Sequence, residues 1–296
     1  MSRIGEALER AAATGHTSDR RIDVIVERPS ASVGAASDLA SYVEEGSPAS
    51  TAQAPGREPA VLTNIRTPEP TEHSVSRESK LLVAQDLPPV AIEQYRRLAG
   101  TLHDLQVERG LKTLMVSSAL PREGKTLTVT NLALTLSHSY RRKVLLIDAD
   151  LRHPSVHEVF GLRNRAGLAD VVRTGGRQTP VIDLSECLSV LTAGHHDTNP
   201  LAQLTSTYVE DFVRAAAQQF DWVLMDTPPI GLISDAQLVA RMCEGALFVV
   251  AAGVTPYKLV QRGMAELGEE RIVGVVLNRM QQQDVPNGNH YGTYYG

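Results

Sequence analysis

The amino-acid sequence predicts a doubly wound α/β fold with a mostly parallel sheet. Apolar strand candidates alternate with helix candidates over residues 81–286, which is the pattern of repeated strand–helix–strand units. Several strand candidates are nearly continuous runs of valine, leucine and isoleucine, as expected for parallel strands that helices cover on both faces. Three of the strands end in glycine-containing or acidic segments, at the edge where such sheets bind ligands.

The alternation consists of six strand candidates and five helix candidates. The strand candidates are 113–117, 144–148, 188–193, 222–226, 246–251 and 272–277. The helix candidates are 92–110, 126–139, 209–219, 235–242 and 257–267. The first helix is predicted from apolar residues at helical spacing, and it ends at a glycine, Gly110.

The residues on either side of this domain have a different composition. Residues 1–12 carry a short amphipathic helix pattern, and residues 13–80 are rich in Ser, Ala, Pro, Thr, Glu and Arg. Because such a segment buries too little apolar surface to offset its ordering entropy, a disordered linker is predicted up to residue 80. The domain then covers 81–286, and a tyrosine-containing tail covers 287–296.

Composition and charge exclude several classes of protein. A formal net charge of −5 gives no reason to expect a nucleic-acid partner. Cys187 and Cys243 lie far apart and are expected to be reduced core residues rather than a disulfide framework. No apolar run approaches the roughly 20 residues of a membrane span, and the first residues lack a signal-peptide pattern. We therefore expect a cytoplasmic protein that reaches a membrane only through a partner.

The loop after the first predicted strand has the pattern of a phosphate-binding loop. Residues 119–126 match G-x-x-x-x-G-K-[ST], except that Ala119 replaces the first glycine. Since a strand precedes the loop and a helix follows it, backbone N–H groups and a helix N-terminus would point at the phosphates. We therefore expect ATP to bind here, with Lys125 on the β- and γ-phosphates and Thr126 on Mg²⁺. The alternative is a simple polar turn, which the acidic strand ends disfavour.

Two further strands end in carboxylates. Asp148 and Asp150 follow one apolar strand, and Asp226 ends another. The carboxyl ends of parallel strands form the ligand crevice of an open α/β sheet, so the three side chains are expected to converge near the loop. Carboxylates beside phosphates repel them unless a cation lies between, which predicts Mg²⁺ as the second cofactor. The alternative for any single strand-end aspartate is a capping role in the next turn.

Three segments together resemble a known family. Residues 121–126, 146–154 and 225–229 are similar to the Walker A, Walker A′ and Walker B motifs of bacterial protein-tyrosine kinases, the BY-kinases of capsule and exopolysaccharide synthesis. The Asp-x-Asp-x-Arg element at 148–152 is the specific part, because most P-loop ATPases lack it. The resemblance covers residues 81–296.

The resemblance implies roles for individual residues. Lys125, Asp148 and Asp226 match the residues that carry catalysis and metal binding in the family, and Asp150 would support the metal and its waters. The metal ligands implied are therefore Thr126, Asp150 and Asp226. Asp148 is expected to accept the proton of a substrate tyrosine, whose pKa near 10 requires a nearby base or cation.

The resemblance also implies the nucleotide contacts. The loop residues expected to contact ATP are Pro121, Arg122, Glu123, Gly124, Lys125, Thr126 and Leu127. Asn278, in a segment that resembles the family, would face the adenine, with Arg279 beside it. An asparagine at a strand end is otherwise a common turn residue.

The C-terminal tail contains a cluster of tyrosines. Tyr291, Tyr294 and Tyr295 are three of the eight tyrosines of the chain, and glycines stand beside them at positions 292 and 296. Such a tail builds no core, so packing does not explain the cluster. The resemblance implies that a neighbouring subunit phosphorylates these tyrosines, and an incidental aromatic terminus is the alternative.

Partners are implied by two further segments. Glu93 and Arg96 match the E-x-x-R-x-x-R subunit-contact helix of the family, but Ala99 stands where the last arginine belongs, which leaves ring assembly open. A homo-oligomer is therefore one expectation. The start of the chain is similar to kinases paired with polysaccharide co-polymerases, so a membrane co-polymerase or chain-length determinant protein is the expected activator.

Two other functions share this fold or site. A ParA/MinD-type ATPase would carry an additional lysine two residues into the loop, where this chain has Leu120. A non-catalytic, ATP-dependent scaffold of a polysaccharide assembly complex is the second alternative. The complete set of Lys125, Asp148, Asp150 and Asp226 argues against a dead enzyme.

Overall fold

The computed structural model describes residues 21–25, 63–66, 89–195, 199–231 and 234–280. Within them, one sheet is flanked by helices. The strands are β1 Arg21–Ile25, β2 Thr63–Arg66, β3 Thr113–Ser118, β4 Val144–Asp148, β5 Pro180–Asp183, β6 Leu188–Leu191, β7 Trp222–Asp226, β8 Gly245–Ala251 and β9 Ile272–Met280. The helices are α1 Pro89–Arg109, α2 Lys125–His138, α3 Val156–Val159, α4 Leu168–Arg173, α5 Pro200–Leu204, α6 Thr207–Gln219, α7 Asp235–Met242 and α8 Tyr257–Leu267, followed by a 3₁₀ turn at Glu269–Arg271.

The strand order across the sheet is β1-β9-β8-β3-β7-β4-β6-β5-β2. The six strands from β9 to β6 are parallel, while β1 is antiparallel to β9 and β5 is antiparallel to β6. β3 is central, and β7 lies between β3 and β4, so the carboxyl ends of these three strands lie side by side. This order confirms the predicted doubly wound, mostly parallel α/β fold.

The hydrophobic core lies on both faces of the sheet because successive side chains of a strand point in opposite directions. On one face, Leu146 of β4 belongs to the cluster that packs under α1 and α2. On the other face, Leu145 and Ile147 belong to the cluster that includes residues of α6, α7 and α8. Burial of each such side chain contributes about 1.5–3 kcal/mol, so a polar substitution in β4 would destabilise the fold.

Local sequence signals explain where several helices begin. The Ser206 side chain accepts a hydrogen bond from the backbone N–H of Tyr208 at the start of α6, and the buried residues of that helix recur at helical spacing. α2 begins at Lys125, directly after Gly124 in the left-handed conformation, and ends at His138. These helices match the predicted ones to within two residues at each end.

The structure differs from the sequence-based prediction at the edges of the sheet. β1 and β2 fall inside the segment predicted to be a disordered linker, and β5 was not predicted. All three are short and lie outside the parallel core, so pairing with a neighbouring strand decides their conformation rather than composition. The rest of 1–80, including the predicted amphipathic helix, and the tail 287–296 lie outside the described residues.

Candidate functional site

The phosphate loop connects the central strand to a buried helix. β3 ends at Ser118 and α2 begins at Lys125, which leaves six residues for the loop. Arg122 and Gly124 both have positive φ, 62° and 99°. A Cβ at Gly124 would lie 1.9 Å from Nδ2 of Asn278, so glycine is required here for space as well as for conformation. The fold and this loop are those of a P-loop nucleotide-binding protein.

Lys125 is buried at the first turn of α2. Its Nζ donates a hydrogen bond to Ser118 Oγ at 3.0 Å. Burial lowers the pKa of the ammonium, and the negative charges of Asp226, Asp150 and Glu123 oppose that shift. Lys125 therefore lies inside the loop with carboxylates nearby, at a position where its ammonium group would bind an anionic ligand.

Thr126 and Asp226 form the contact between the phosphate loop and β7. Thr126 Oγ1 donates to Asp226 Oδ2 at 2.6 Å, and Ser155 Oγ lies 2.9 Å from the same threonine oxygen. Asp226 is buried, and its Oδ1 has no hydrogen-bond partner within the described part of the chain. Burial raises the pKa of this carboxyl to about 7, although the bond from Thr126 and the charge of Lys125 favour the ionised form. A cation beside the unpartnered oxygen would remove this penalty.

Asp148 lies beside Asp226 but faces a different set of groups. The two residues are register partners on β4 and β7. Asp148 is fully buried, and its Oδ2 accepts the backbone N–H groups of Ser155 and Val156, each at 3.0 Å. Its Oδ1 accepts the N–H of Asp150 at 3.2 Å. Burial, and then the charge of Asp226, raise the pKa of Asp148 well above its usual value. Its contacts are those of a residue that shapes the following loop.

The loop after β4, residues 149–155, carries the second aspartate of the motif. Asp150 is half-buried, and its Oδ1 accepts the N–H of His153 at 3.0 Å. The Arg152 side chain of the same loop donates two hydrogen bonds to Asp235 at the start of α7, at 2.7 and 3.2 Å. Two side chains therefore fix this loop: Asp148 binds its backbone N–H groups, and Asp235 binds its arginine.

The three aspartates that are expected to converge interact electrostatically. Besides burial, the charges of Asp226 and Asp150 raise the pKa of Asp148, and the charge of Asp150 raises that of Asp226. In the described ranges, however, no group of three or more His, Cys, Asp or Glu side chains is arranged to hold a metal ion. Mg²⁺ needs no such group, since it keeps several waters and takes phosphate oxygens beside one or two carboxylates. Thr126 and Asp226 fit that requirement better than a cage of three carboxylates.

The remaining predicted nucleotide contacts divide into two groups. Pro121 and Arg122 are exposed on the loop, and Leu127 is half-buried in α2. The side chain of Glu123 is buried and hydrogen bonds to protein groups. Asn278 also has protein partners: its Nδ2 donates to the Glu123 carbonyl at 2.7 Å. The Arg279 guanidinium donates to the carbonyl of Arg122. Asn278 and Arg279 thus bind the phosphate loop itself.

Sequence reasoning missed three residues of the site. Ser155 contacts Thr126, Asp235 binds Arg152, and Thr255 donates its hydroxyl hydrogen bond to Glu123. A serine shortly after the Asp-x-Asp-x-Arg element is a weak local signal for the first of them. Asp235 and Thr255 are separated from their partners by 83 and 132 positions, so no local pattern points to them.

The helix that resembles a subunit-contact motif is α1. The exposed side chains of Arg96 and Arg97 lie 3.9 and 3.8 Å from Glu93. Ala99 is fully buried against the core, so the position of the missing arginine faces inward in this chain. The tail tyrosines Tyr291, Tyr294 and Tyr295 lie outside the described residues. Among the helices described, none has the length and apolar character to cross a membrane.

Comparisons with known proteins give named relatives for the chain. No protein-family model matches it. Tyrosine-protein kinase YwqD of Bacillus subtilis is 33% identical over 205 residues, which are 68% of this chain and 86% of that protein. The putative tyrosine-protein kinase CapB of Staphylococcus aureus is 29% identical over 220 residues, 73% of this chain and 95% of that protein.

Solved structures share the fold over a similar fraction of the chain. The chimerical protein CapA2B2 matches with a TM-score of 0.61 and 27% identity, over 68% of this chain and 90% of that one. The kinase domain of the Escherichia coli tyrosine kinase ETK matches with a TM-score of 0.55 and 31% identity, over 62% and 72%. A tyrosine-protein kinase is 33% identical to this chain over 68% of its length, and solved kinase domains have the same fold as this chain. The chain therefore belongs to the bacterial protein-tyrosine kinase family.

Proposed function

We propose that this chain is a protein-tyrosine autokinase of exopolysaccharide or capsule synthesis and export, which transfers the γ-phosphoryl group of ATP to C-terminal tyrosines of a neighbouring copy. One observation carries the proposal. Thr126 donates to the buried carboxylate of Asp226, whose other oxygen has no hydrogen-bond partner in the described structure. A threonine hydroxyl and such an oxygen, next to a buried lysine, fit Mg²⁺ and the phosphates of ATP.

The residues of the phosphate loop neutralise and orient the transferred group. Lys125 and the N–H groups at the start of α2 would bind the phosphates, and Thr126 and Asp226 would hold Mg²⁺, which would supply further positive charge. The tyrosine oxygen attacks the γ-phosphorus while the bond from phosphorus to the bridging oxygen of ADP breaks. The tyrosine proton passes to a carboxylate. Positioning and charge neutralisation supply most of the rate in such reactions.

The two aspartates of the A′ motif take different parts in this proposal. All three hydrogen bonds of the fully buried Asp148 come from backbone N–H groups, so it holds the loop 149–155 in place. Asp150 is half-buried, and among the described residues only its Oδ1 accepts a hydrogen bond. Asp150 is therefore the A′ carboxylate open to the metal waters and to a substrate hydroxyl, whereas a base role for Asp148 would require the loop to open.

The position of β9 supports the tail as a substrate. β9 is parallel to β8, and Asn278 is level with the end of β8, so the chain leaves the sheet at the edge that carries the phosphate loop. Sixteen residues follow Met280, and they span at most roughly 55 Å. A tail of that length would reach the site of an adjacent copy that lies within this distance, without a strained turn back into its own site.

A membrane polysaccharide co-polymerase is the proposed activating partner, which would recruit the chain to the inner face of the membrane. The support is the family and one structural relative, a chimerical protein whose name, CapA2B2, joins a CapA and a CapB part. A homo-oligomer is proposed for transfer between copies.

The test is a mixing experiment with complementary defects. Full-length Lys125→Ala protein, which keeps its tail but lacks the lysine, is mixed with active protein that lacks residues 290–296, and Mg·ATP is added. Phosphotyrosine should appear on the tail of the Lys125→Ala protein. Lys125→Ala protein alone is the control and should remain unlabelled, with its fold checked by circular dichroism.

The alternatives give different results in the same experiment. A scaffold protein would bind ATP without labelling any tyrosine, and a ParA/MinD-type ATPase would hydrolyse ATP without labelling. Leu120 packs against the hydrophobic core at the position where the latter class carries its additional lysine. If neither the mixture nor the wild type acquires phosphotyrosine on the tail, the autokinase proposal is wrong.

A further inference from the structure

Glu123 is a buried carboxylate inside the phosphate loop. Only 2% of its surface is exposed, although its neighbours Pro121 and Arg122 are exposed. A negative charge in a loop that receives phosphates opposes binding of the ligand by Coulomb repulsion. The carboxylate must therefore contribute something that outweighs this repulsion.

The contacts of Glu123 reach three separate parts of the fold. Its Oε2 accepts the backbone N–H of Leu120 at 2.6 Å, which closes the loop on itself. Its Oε1 accepts the N–H of Ala251, the last residue of β8, at 3.2 Å, and the hydroxyl of Thr255 beyond it. Its backbone carbonyl accepts Asn278 Nδ2 from β9. β8 is the direct neighbour of β3, which leads into the loop.

Only a carboxylate satisfies these donors. Two backbone N–H groups and a hydroxyl point at its two oxygens, and a backbone N–H has no alternative role as acceptor. A glutamine would turn its NH₂ group toward the N–H of either Leu120 or Ala251. Either orientation leaves a buried donor unsatisfied and places two donors against each other.

We propose that Glu123 is a positioning residue whose side chain holds the phosphate loop in its binding conformation by tying it to the end of β8 and to Thr255. Nucleotide affinity then depends on the Thr255 hydroxyl, which lies outside the loop. The inference rests on the proposed function in one respect, namely that residues 119–126 bind the nucleotide phosphates.

The sign of the effect on affinity separates this role from that of a local charge. If Glu123 acted only as a negative charge beside the phosphates, Glu123→Gln would strengthen nucleotide binding. As a positioning residue it should do the opposite. Loss of a charged hydrogen bond and an unsatisfied buried donor correspond to a rise in the dissociation constant of about 10- to 100-fold.

The experiment measures the dissociation constants of Mg·ADP and Mg·ATP by calorimetry, with thermal unfolding recorded for every variant of the full chain. Glu123→Gln should raise both constants by about 10- to 100-fold. Thr255→Val, which keeps the shape but removes the hydroxyl, should raise them about 3- to 10-fold, and Thr255→Ser should restore wild-type values. Glu123→Gln combined with Thr255→Val should bind as Glu123→Gln alone, because the two act through one contact.

The control is Glu210→Gln on α6, which removes an exposed carboxylate that pairs with Arg214 of the same helix. It should bind nucleotide as the wild type does. Tighter or unchanged binding by Glu123→Gln would overturn the inference, as would equal affinities for Thr255→Val and Thr255→Ser. A lower melting temperature with unchanged dissociation constants would also overturn it. A wild type that binds neither nucleotide would instead contradict the proposed function itself.

Discussion

At the scale of single residues, the site contains groups that the protein keeps at a cost in stability. Asp226 is buried, one of its oxygens has no hydrogen-bond partner in the described structure, and burial raises the pKa of its carboxyl to about 7. Above that pH the carboxylate is charged in the folded protein, where it is less well solvated than in the unfolded chain. Such a group makes sense where a cation completes its surroundings.

Substitution of Asp226 should therefore separate stability from activity. Asp226→Asn keeps an acceptor for Thr126 and removes the buried charge, so at pH 8 without metal it should stabilise the fold by on the order of a few kcal/mol. The measurement is thermal unfolding without metal, together with a phosphotyrosine assay in which the variant should be inactive. A variant that melts below the wild type without metal, or that keeps normal kinase activity, would contradict this account of Asp226.

The two aspartates of the A′ motif should respond differently to the same change. Asp148→Asn should loosen the loop 149–155 and lower the turnover rate by less than Asp150→Asn does, because an amide satisfies the three backbone N–H groups less well, at about 1–3 kcal/mol, while its neutral side chain relieves the burial penalty of the carboxylate. Asp150→Asn should leave the melting temperature nearly unchanged and lower turnover by about two to four orders of magnitude.

Circular dichroism and single-turnover labelling measure the two effects. A larger rate loss in Asp148→Asn than in Asp150→Asn would return the proton-accepting role to Asp148.

Among the secondary-structure elements, an ion pair joins the loop after β4 to the start of α7. Arg152, 38% exposed, binds the 1% exposed Asp235 at the start of α7. The loop at 149–155 also carries Asp150 and Ser155, and Ser155 contacts Thr126. The pair therefore fixes the positions of Asp150 and Ser155 beside the phosphate loop, although neither Arg152 nor Asp235 belongs to that loop.

Arg152→Ala should lower turnover at least tenfold and destabilise the fold by about 1–3 kcal/mol, because it leaves a buried carboxylate without its partner. The matched control is Arg173→Ala, which removes an equally short pair with the buried Asp170 on α4. Steady-state kinetics and thermal unfolding should show a stability loss in both variants and a rate loss in Arg152→Ala alone. Equal turnover in the two variants would show that the Arg152 pair is only structural.

At the scale of the whole molecule, the edges of the sheet come from the N-terminal part of the chain. β1 pairs with β9 on one side, and β2 pairs with β5 on the other. Neither contributes to the parallel core that carries the phosphate loop. Their removal would expose the backbone groups of β9 and β5, which are then open to pairing between molecules.

A chain that begins near Leu81 should therefore fold and turn over ATP, with a lower melting temperature and a greater tendency to aggregate than the full chain. A chain that begins at residue 27, which lacks β1 but keeps β2, should lie between the two. Thermal unfolding, light scattering and ATP turnover measure these effects. Loss of turnover in a truncated chain that is folded would show that residues before 81 take part in the chemistry.

The fold class, the central strands, the main helices and the phosphate loop follow from the order of residues alone. Their signals are local: an apolar run, a helical spacing, or the Gly-Lys-Thr step between β3 and α2. The partners of these residues depend on contacts between distant segments. No spacing shows that Asp148 faces backbone N–H groups rather than the metal side, that Glu123 reaches Thr255, or that 21–25 adds to the sheet beside β9. Only the folded chain brings such groups together, because each contact depends on strand pairing and on side-chain burial in one particular arrangement.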